Sequence, residues 1–456
     1  MGRKSRLKRM RQFETGASQQ PAVGGARFPA SETSLGRVAI AVISIATFLI
    51  GAAVRLSVSD VVRRSPDEQV YVRYATAVAG EGFDAFARLA REYNQDRIAR
   101  WYPTPVRVGY IWPLAWVMRV SGVDGTTVGV WVSRVGSVLA LLLLAVIGWR
   151  VLPPFAWCSA LILMAVSPTE LAMARRVWQD GPITWLGAML AWTSIEIARR
   201  PHRVVWYVVW AIVGAWLCAT KESGVVVCGI WGIWLLWVLW VQRRDMQRGL
   251  WVLGSGAVAV IAAVVVMAQA AGGIGLLVDV VRHNYIGVSS NDYATQYQAG
   301  PLYTLLRGYW LCSPVATACC LIGVLWIIAK SVWGTGADVP GEWCWLAWRG
   351  CSFFLVTFLV IASVPPYYKN LRYISAAAVS YYALCGIGCW RVAEWLARGM
   401  RGTVWTAWAV ILLMLTAVAV GDYKNFHELY VRLERNDLVL PYLASDSIYR
   451  GVDWFR

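Results

Sequence analysis

The chain alternates between long runs of apolar residues and short polar breaks. A helix that crosses the hydrocarbon core of a bilayer needs about 20 mostly apolar residues, and about eleven runs approach or reach that length. They cover residues 38–57, 128–149, 155–168, 182–198, 204–219, 225–241, 250–270, 309–329, 350–364, 374–390 and 404–420. The pattern predicts an all-α, polytopic integral membrane protein with about eleven transmembrane helices.

The polar segments between these runs predict the organisation of the chain. The predicted units are a disordered basic cytosolic tail over 1–37, a transmembrane domain over 38–421 and a short outer C-terminal tail over 422–456. Within the domain, 58–127 forms a first outer loop with amphipathic helices at the interface, and 271–308 forms a second large outer loop.

One apolar stretch decides the orientation of everything after it. Residues 106–120 form a short stretch that contains Arg107, Arg119 and Pro113, so we expect an interfacial or re-entrant helix. If this stretch crossed the membrane instead, the orientation of every later helix would reverse.

Composition agrees with a membrane protein, and the charge distribution sets its orientation. The chain is 58% hydrophobic and 15% charged, with a net charge of +17, whereas a soluble domain is about 25% charged. Under the eleven-span topology the predicted inner segments hold 20 Lys and Arg against 6 Asp and Glu. This excess follows the positive-inside rule. The basic residues therefore lie along one membrane face and do not indicate nucleic-acid binding.

The remaining ionisable residues gather on the predicted outer side. Asp67 and Glu68 follow Pro66 just after the first span. This is ordinary chemistry for a helix start, but an acid at a membrane surface can also remove a proton from an acceptor hydroxyl or amine. The following Tyr71 and Tyr74 begin an amphipathic face. Asp67 is the preferred base, although spacing does not separate it from Glu68.

Other outer segments add a second acid and several cations. Asp180 lies between the third and fourth spans, and Lys221 precedes Glu222, which could simply neutralise it. Lys369 and Arg372 follow a Pro-Pro-Tyr-Tyr segment, where cations can bind phosphate oxygens or extend to the interface. Acids and cations together on the predicted outer side suggest chemistry on an anionic substrate carried in the membrane.

These motifs together resemble the GT-C class of membrane glycosyltransferases. The resemblance is to the branch that contains the protein O-mannosyltransferases and the bacterial transferase that adds aminoarabinose to lipid A. The matching positions are Pro66-Asp67-Glu68 with Tyr71, Tyr74 and Ala75; Arg134 with Ser137; Ser167-Pro168 leading to Asp180; Thr220-Lys221; Gly300-Pro301 with Tyr303; and Lys369 with Arg372-Tyr373.

The resemblance implies an enzyme that takes a sugar from a polyprenyl-phosphate carrier and passes it to a glycan, lipid or protein acceptor outside the cytosol. It implies Asp67 as general base and Asp180 as a second active-site acid. Arg134, Lys221, Lys369, Arg372 and Tyr373 would contact the lipid phosphate or substrate. The expected location is a bacterial cytoplasmic membrane, with a cytosolic N-terminus and an outer active site.

The sequence departs from this branch where a metal ligand would be expected. The proline-rich segment from Arg100 to Arg107 has no acidic residue before it at the matching position, and the chain has three histidines. A divalent metal is therefore possible but not supported, and no metal ligand is assigned. A secondary transporter or lipid flippase is the main alternative function, and a noncatalytic scaffold is a further one.

Overall fold

The computed structural model describes residues 34–333, 341–399 and 404–454, and within these ranges the chain is helical without β-strands. The first helices are α1 (Ser34–Ser57), α2 (Pro66–Glu81), α3 (Ala85–Gln95), α4 (Val108–Ser121), α5 (Gly125–Val151), α6 (Pro154–Ala165), α7 (Pro168–Ala174), α8 (Asp180–Arg199) and α9 (Val204–Thr220). The others are α10 (Gly224–Leu236), α11 (Met246–Ala271), α12 (Ile274–Ser289), α13 (Asp292–Tyr297), α14 (Thr304–Cys312), α15 (Pro314–Trp333), α16 (Glu342–Ser363), α17 (Ala378–Gly399), α18 (Val404–Phe426) and α19 (Leu440–Asp446).

Eight helical segments of the described chain are long and apolar enough to cross a membrane, and a ninth is a bent pair. The pair is α6 and α7, which meet at 51°. All eleven predicted spans coincide with helices, but α8 is too polar to count among these segments and α9 has only 17 residues. The polytopic all-α architecture is confirmed. The tail predicted over 1–37 lies almost wholly outside the described residues.

Two predicted spans are interrupted in the structure, and proline explains both interruptions. The third predicted span was continuous through residue 168, but helix α6 ends at Ala165 and Pro168 opens α7 in a new direction. The eighth was expected from residue 309, whereas α14 ends at Cys312 and Pro314 opens α15. Proline lacks an N–H for the preceding turn but is well suited to the first turn of a helix.

The segment between α1 and α5 forms three helices, α2, α3 and α4. The predicted apolar face of α2 is buried, and Tyr71, Tyr74 and Val78 pack with Ile111 and Leu114 of α4. Helix α4 has 14 residues, so it extends about 21 Å. That length is less than the hydrocarbon core of about 30 Å, in agreement with an interfacial or re-entrant helix.

Two close helix contacts lie at the end of the bundle where α8 begins. A Cβ placed on Gly181 at the start of α8 would lie 2.7 Å from the carbonyl oxygen of Ser133 in α5. A Cβ on Gly109 at the start of α4 would lie 2.5 Å from Oγ1 of Thr220 at the end of α9. Only glycine permits these approaches. They bring Asp180, directly before Gly181, and Arg107, two residues before Gly109, to the same region.

The chain after α18 folds back over the same end of the bundle. The helix continues as a π-helix through Arg432, well beyond the predicted end at residue 420. The backbone N–H of Leu371 donates to the carbonyl of Leu438 at 3.1 Å, and Asn370 forms an isolated antiparallel bridge with Val439. The C-terminal segment thereby lies beside the 3₁₀-helix Leu371–Ala377 that precedes α17.

Candidate active site

A cavity of about 380 Å³ opens where α2, α4, α8 and the turn between α9 and α10 meet the segment before α17. Its lining includes Asp67, Asp180, Lys221, Arg372 and Tyr373. Five of the eight predicted site residues therefore come together around one space. These residues come from four distant parts of the sequence. The signal that related them was their predicted position on the same side of the membrane.

The first turn of α2 separates the roles of two neighbouring acids. The carboxylate of Glu68 points into the protein, where it accepts hydrogen bonds from the backbone N–H of Ser65 at 2.7 Å and of Val177 at 2.9 Å. It also forms an ion pair with Arg176 at 2.9 Å, with both side chains buried. Glu68 does not line the cavity, whereas Asp67 does. The structure thus distinguishes the two acids, which sequence spacing could not do.

Asp67 is paired with a cation that also belongs to the cavity. Nη2 of Arg372 lies 2.8 Å from Oδ2 of Asp67, and Nε of Arg372 lies 3.5 Å from Oδ1 of Asp437. The guanidinium also lies over the ring of Trp178, with Cζ 5.0 Å from the ring centroid. Arg372 is thereby fixed in position by two acids and an aromatic ring.

A second ion pair lies deeper in the same cavity. Nζ of Lys221 lies 2.8 Å from Oδ1 of Asp180, and both residues are buried. The ammonium is also 4.7 Å from the ring centroid of Tyr373. Burial lowers the pKa of Lys221, although the negative charge of Asp180 works in the other direction. Lys221 is therefore a cation whose charge depends on its carboxylate partner.

Arg107 and Glu222 form a third pair that the sequence did not predict. Nη2 of Arg107 lies 2.9 Å from Oε2 of Glu222, and Nη1 donates to the hydroxyl of Tyr71 at 2.6 Å. Desolvation works against ionisation of Glu222, but the Arg107 guanidinium lowers the pKa of this carboxyl. Burial raises the pKa of Tyr71. Lys221 and Glu222 therefore each pair with a residue from elsewhere in the chain.

Two predicted cations lie outside the cavity and have other partners. Arg134 forms an ion pair with Asp60 at 2.7 Å and donates to the carbonyl of Val58. Lys369 is buried and donates to the carbonyl of Ser363. Each side chain thereby donates to a backbone carbonyl at or just after the C-terminal end of a helix. Neither lines the cavity that contains Asp67.

The donor set of the cavity does not suit a divalent metal. Its carboxylates, Asp67, Asp180 and Glu222, are each paired with a separate cation. Across the described residues no group of three His, Cys, Asp or Glu is placed to bind a metal ion. Divalent metals need several converging oxygen, nitrogen or sulfur ligands, so no metal ligand is assigned.

A second cavity, of about 330 Å³, adjoins the first. The two cavities share Asp67, Trp101, Tyr102, Arg372 and Tyr373, so the Asp67–Arg372 pair lies between them. The rest of the second lining is aromatic, amide and acidic, and it includes Tyr293, Gln298, Asn436, Asp437 and Tyr442. The carboxylate of Asp437 accepts hydrogen bonds from the Asn370 amide at 2.5 Å and the Tyr293 hydroxyl at 3.2 Å.

Comparison with known proteins identifies the fold. No protein-family model matches the sequence, and no curated protein does either. The apo oligosaccharyltransferase of Archaeoglobus fulgidus matches with a TM-score of 0.55 at 13% identity, over 86% of this chain and 56% of that one. Arabinosyltransferase EmbB of Mycobacterium smegmatis matches with a TM-score of 0.50 at 13% identity, over 80% and 32%. ArnT of Cupriavidus metallidurans matches with a TM-score of 0.48 at 16% identity, over 89% and 74%.

The chain shares the transmembrane fold of the archaeal oligosaccharyltransferase and of EmbB. The GT-C-like architecture predicted from the sequence is confirmed, and the protein is an integral membrane protein. The chain spans little more than half the length of the archaeal enzyme. At these identities the comparison concerns the fold, so the chemistry has to be argued from the cavity itself.

Proposed function

We propose that the protein is a membrane glycosyltransferase that moves a sugar from a polyprenyl-phosphate carrier to an acceptor hydroxyl. The observation that carries the proposal is the position of the Asp67–Arg372 pair between two cavities. A transfer reaction needs a cation at the leaving group and a base at the acceptor, within reach of one another. The Asp67–Arg372 pair, at the boundary between the two cavities, supplies both the cation and the base.

The first cavity suits the donor. Arg372, Lys221 and Arg107 surround it with cations for phosphate oxygens. Helix α12 runs from the same cavity, where Tyr285 belongs to the lining, and Val278 and Val281 are exposed on the same face of the helix. Residues at this spacing form one apolar stripe, which would accommodate a polyprenyl chain. The archaeal oligosaccharyltransferase has been solved with dolichol-phosphate, which supports a lipid phosphate ligand for the shared fold.

The second cavity suits a saccharide acceptor. Aromatic rings can lie against sugar faces, while amides and carboxylates hydrogen-bond to hydroxyl groups. Tyr293, Gln298, Asn436, Asp437 and Tyr442 supply this combination. An acceptor hydroxyl placed there would face Asp67 from the side opposite the donor, in the arrangement that an in-line displacement needs.

The proposed step is one displacement at the anomeric carbon. The acceptor oxygen forms a bond to that carbon while the bond to the phosphate oxygen breaks, and the hydroxyl proton moves to the Asp67 carboxylate. The electron pair of the broken bond leaves with the lipid phosphate, which Arg372 and Lys221 neutralise. The phosphate competes with Asp67 for Arg372, so donor binding would free the carboxylate to act as a base. The anomeric configuration inverts because there is one displacement.

The proposed orientation of the enzyme is based on the charges of its loops. Asp180 starts α8 and Arg199 ends it, so the candidate site and the basic predicted inner segments lie at opposite ends of this helix. The proposed location is a bacterial cytoplasmic membrane, with the N-terminus in the cytosol and the site and C-terminal segment on the outer face.

The test is transfer by the purified protein with matched variants. The protein is incubated with polyprenyl-phosphate sugars and a saccharide acceptor, and release of the lipid phosphate and glycosylation of the acceptor are measured. Asp67→Asn should lose at least about a hundredfold in rate, whereas Asp84→Asn, an exposed acid at the start of α3 outside both cavities, should not. Full activity of Asp67→Asn would refute its role as base. Sugar or lipid translocation without any release would favour a transporter or flippase.

A further inference from the structure

A further polar cleft, separate from the two cavities described above, lies at the opposite end of the bundle from the candidate active site. It has a volume of about 620 Å³. We call it the Trp–Arg cleft and define it by Arg150, Trp192, Glu196, Arg199, Arg200 and Trp206. Helix α8 has 20 residues between Asp180 and Arg199, or about 30 Å. The cleft therefore lies one membrane thickness away from the site and takes no part in the transfer chemistry.

The cleft has a surplus of positive charge. Glu196 is buried, and its Oε1 lies 3.6 Å from Nη1 of both Arg150 and Arg199. One carboxylate is thus shared by two guanidinium groups, and Arg200 forms no ion pair with any residue that the structure describes. Three arginines against one glutamate leave the cleft with two unbalanced cations, so an anionic ligand would be attracted to it.

The cleft also contains polar atoms without partners. Across the described ranges, the indole N–H groups of Trp192 and Trp206 have no acceptor, and Oε2 of Glu196 has no donor. These atoms are buried, and an unsatisfied buried polar group costs about 1–3 kcal/mol. A ligand that satisfies them must bring acceptor oxygens for the indoles and arginines and a hydrogen-bond donor for Glu196.

The surroundings indicate where such a ligand comes from. Trp192 and Trp206 are neighbours, with ring centroids 6.3 Å apart, and Cζ of Arg150 lies 5.4 Å from the centroid of Trp192. Tryptophans are enriched at the level of lipid head groups, and basic pockets between membrane helices bind phospholipid head groups. The cleft combines both features at the end of transmembrane helices.

We propose that the Trp–Arg cleft binds the head group of an anionic glycerophospholipid that carries a free glycerol hydroxyl. Arg199 and Arg200 bind the phosphate oxygens, the indole N–H groups of Trp192 and Trp206 donate to further oxygens, and the glycerol hydroxyl donates to Glu196. Cardiolipin, with two phosphates and one hydroxyl, matches the two unbalanced cations. Phosphatidylethanolamine has no net charge to match them.

The test is native mass spectrometry of the full protein in micelles with equal amounts of cardiolipin and phosphatidylethanolamine. We expect one retained cardiolipin, favoured over phosphatidylethanolamine about tenfold. The double variant Arg199→Gln/Arg200→Gln should lose this preference. The matched control is Arg243→Gln/Arg244→Gln, which removes two arginines just after the π-helix Trp237–Gln242 that continues α10, at the same side of the bundle but outside the cleft. Equal retention of both lipids, or an equal loss in the control, would overturn the proposal.

One further variant and one competitor separate a loss of lipid binding from a folding defect. Trp192→Phe keeps an aromatic side chain but removes the indole N–H, and it should weaken cardiolipin retention severalfold with an unchanged melting temperature. Unchanged retention would count against the hydrogen-bonded geometry. A large excess of inorganic phosphate should leave cardiolipin bound, and complete displacement would show an anion site for free phosphate instead of a lipid site.

Discussion

Arg372 and Asp67 lie 305 positions apart in the sequence, yet Nη2 of the arginine is 2.8 Å from Oδ2 of the aspartate. Each partner comes from a segment that follows a membrane helix, and both belong to the boundary between two cavities. Because Arg372 also lies over Trp178 and close to Asp437, its guanidinium has a defined position before any substrate is present. This preorganisation is the basis of the first prediction.

Arg372→Lys should lower kcat/KM for the lipid donor by about a hundredfold. Lysine retains the charge, but its ammonium group cannot contact a phosphate and Asp67 at the same time, as the planar guanidinium of arginine can. The measurement is the donor concentration dependence of transfer. Arg134→Lys is the control, because Arg134 lies outside both cavities. Equal losses in the two variants would argue against a specific role of Arg372.

Glu68→Gln should destabilise the protein, in contrast to Asp67→Asn. Its carboxylate is buried with Arg176, and removing one partner of a buried pair costs about 3–5 kcal/mol. The measurement is unfolding of the purified protein in detergent, by heat or denaturant. Glu81→Gln removes an exposed partner of Arg88 and should change stability by about 1 kcal/mol or less. An unchanged melting temperature for Glu68→Gln would show that this anchor is not needed.

The alkaline limb of the pH profile should follow Lys221. Burial lowers the pKa of this lysine, so its ammonium is present below that pKa and lost above it, at a lower pH than for a solvated lysine. Lys221→Arg should move the limb to higher pH because a guanidinium stays charged. The pH dependence of kcat/KM tests this. Lys369→Arg, outside the cavity, should leave the limb in place, and a shift in that variant alone would contradict the assignment.

Substitutions in the two cavities should change the KM values of different substrates. Tyr285 lines only the first cavity and Tyr442 only the second. Tyr285→Ser should therefore raise KM for the lipid donor with little effect on the acceptor, and Tyr442→Ala should do the reverse. The measurement is a two-substrate steady-state analysis. If both variants changed KM for the same substrate, the division into donor and acceptor cavities would be wrong.

Removal of divalent metals should leave transfer unchanged. Asp67, Asp180 and Glu222 each have a cationic partner from the protein, so the charge that a metal would supply is already present. Dialysis against EDTA followed by a transfer assay is the measurement, with re-addition of Mg²⁺ or Mn²⁺ as the control. Loss of activity that either metal restores would disprove this prediction.

The sequence predicts the membrane architecture well because hydropathy reports burial in lipid directly. It also relates Asp67, Asp180, Lys221 and Arg372, since a shared membrane face limits where their side chains can lie. It could not separate Asp67 from Glu68, because the difference depends on Arg176 and Val177, which lie just after the end of α7.

The residues that sequence reasoning missed come together through tertiary contacts alone. Arg107 meets Glu222 because Gly109 allows α4 to approach Thr220, and no local pattern around Arg107 indicates this partner. Asp437 reaches Arg372 because the segment after α18 folds back. For the Arg107–Glu222 pair, a glycine that lets two helices pass closely would have been the only signal in the sequence. For the Asp437–Arg372 pair, no signal was apparent.

The return of the segment after α18 has a consequence for biogenesis. Asp437 follows α18 in the chain, so it can reach Arg372 only after that helix has entered the membrane and the following residues have crossed to the side of the site. A chain arrested earlier in insertion would have the ion pairs of the first cavity but would lack the wall of the second. The proposed acceptor cavity would therefore be completed only late in insertion, and a partly inserted chain would not transfer sugar.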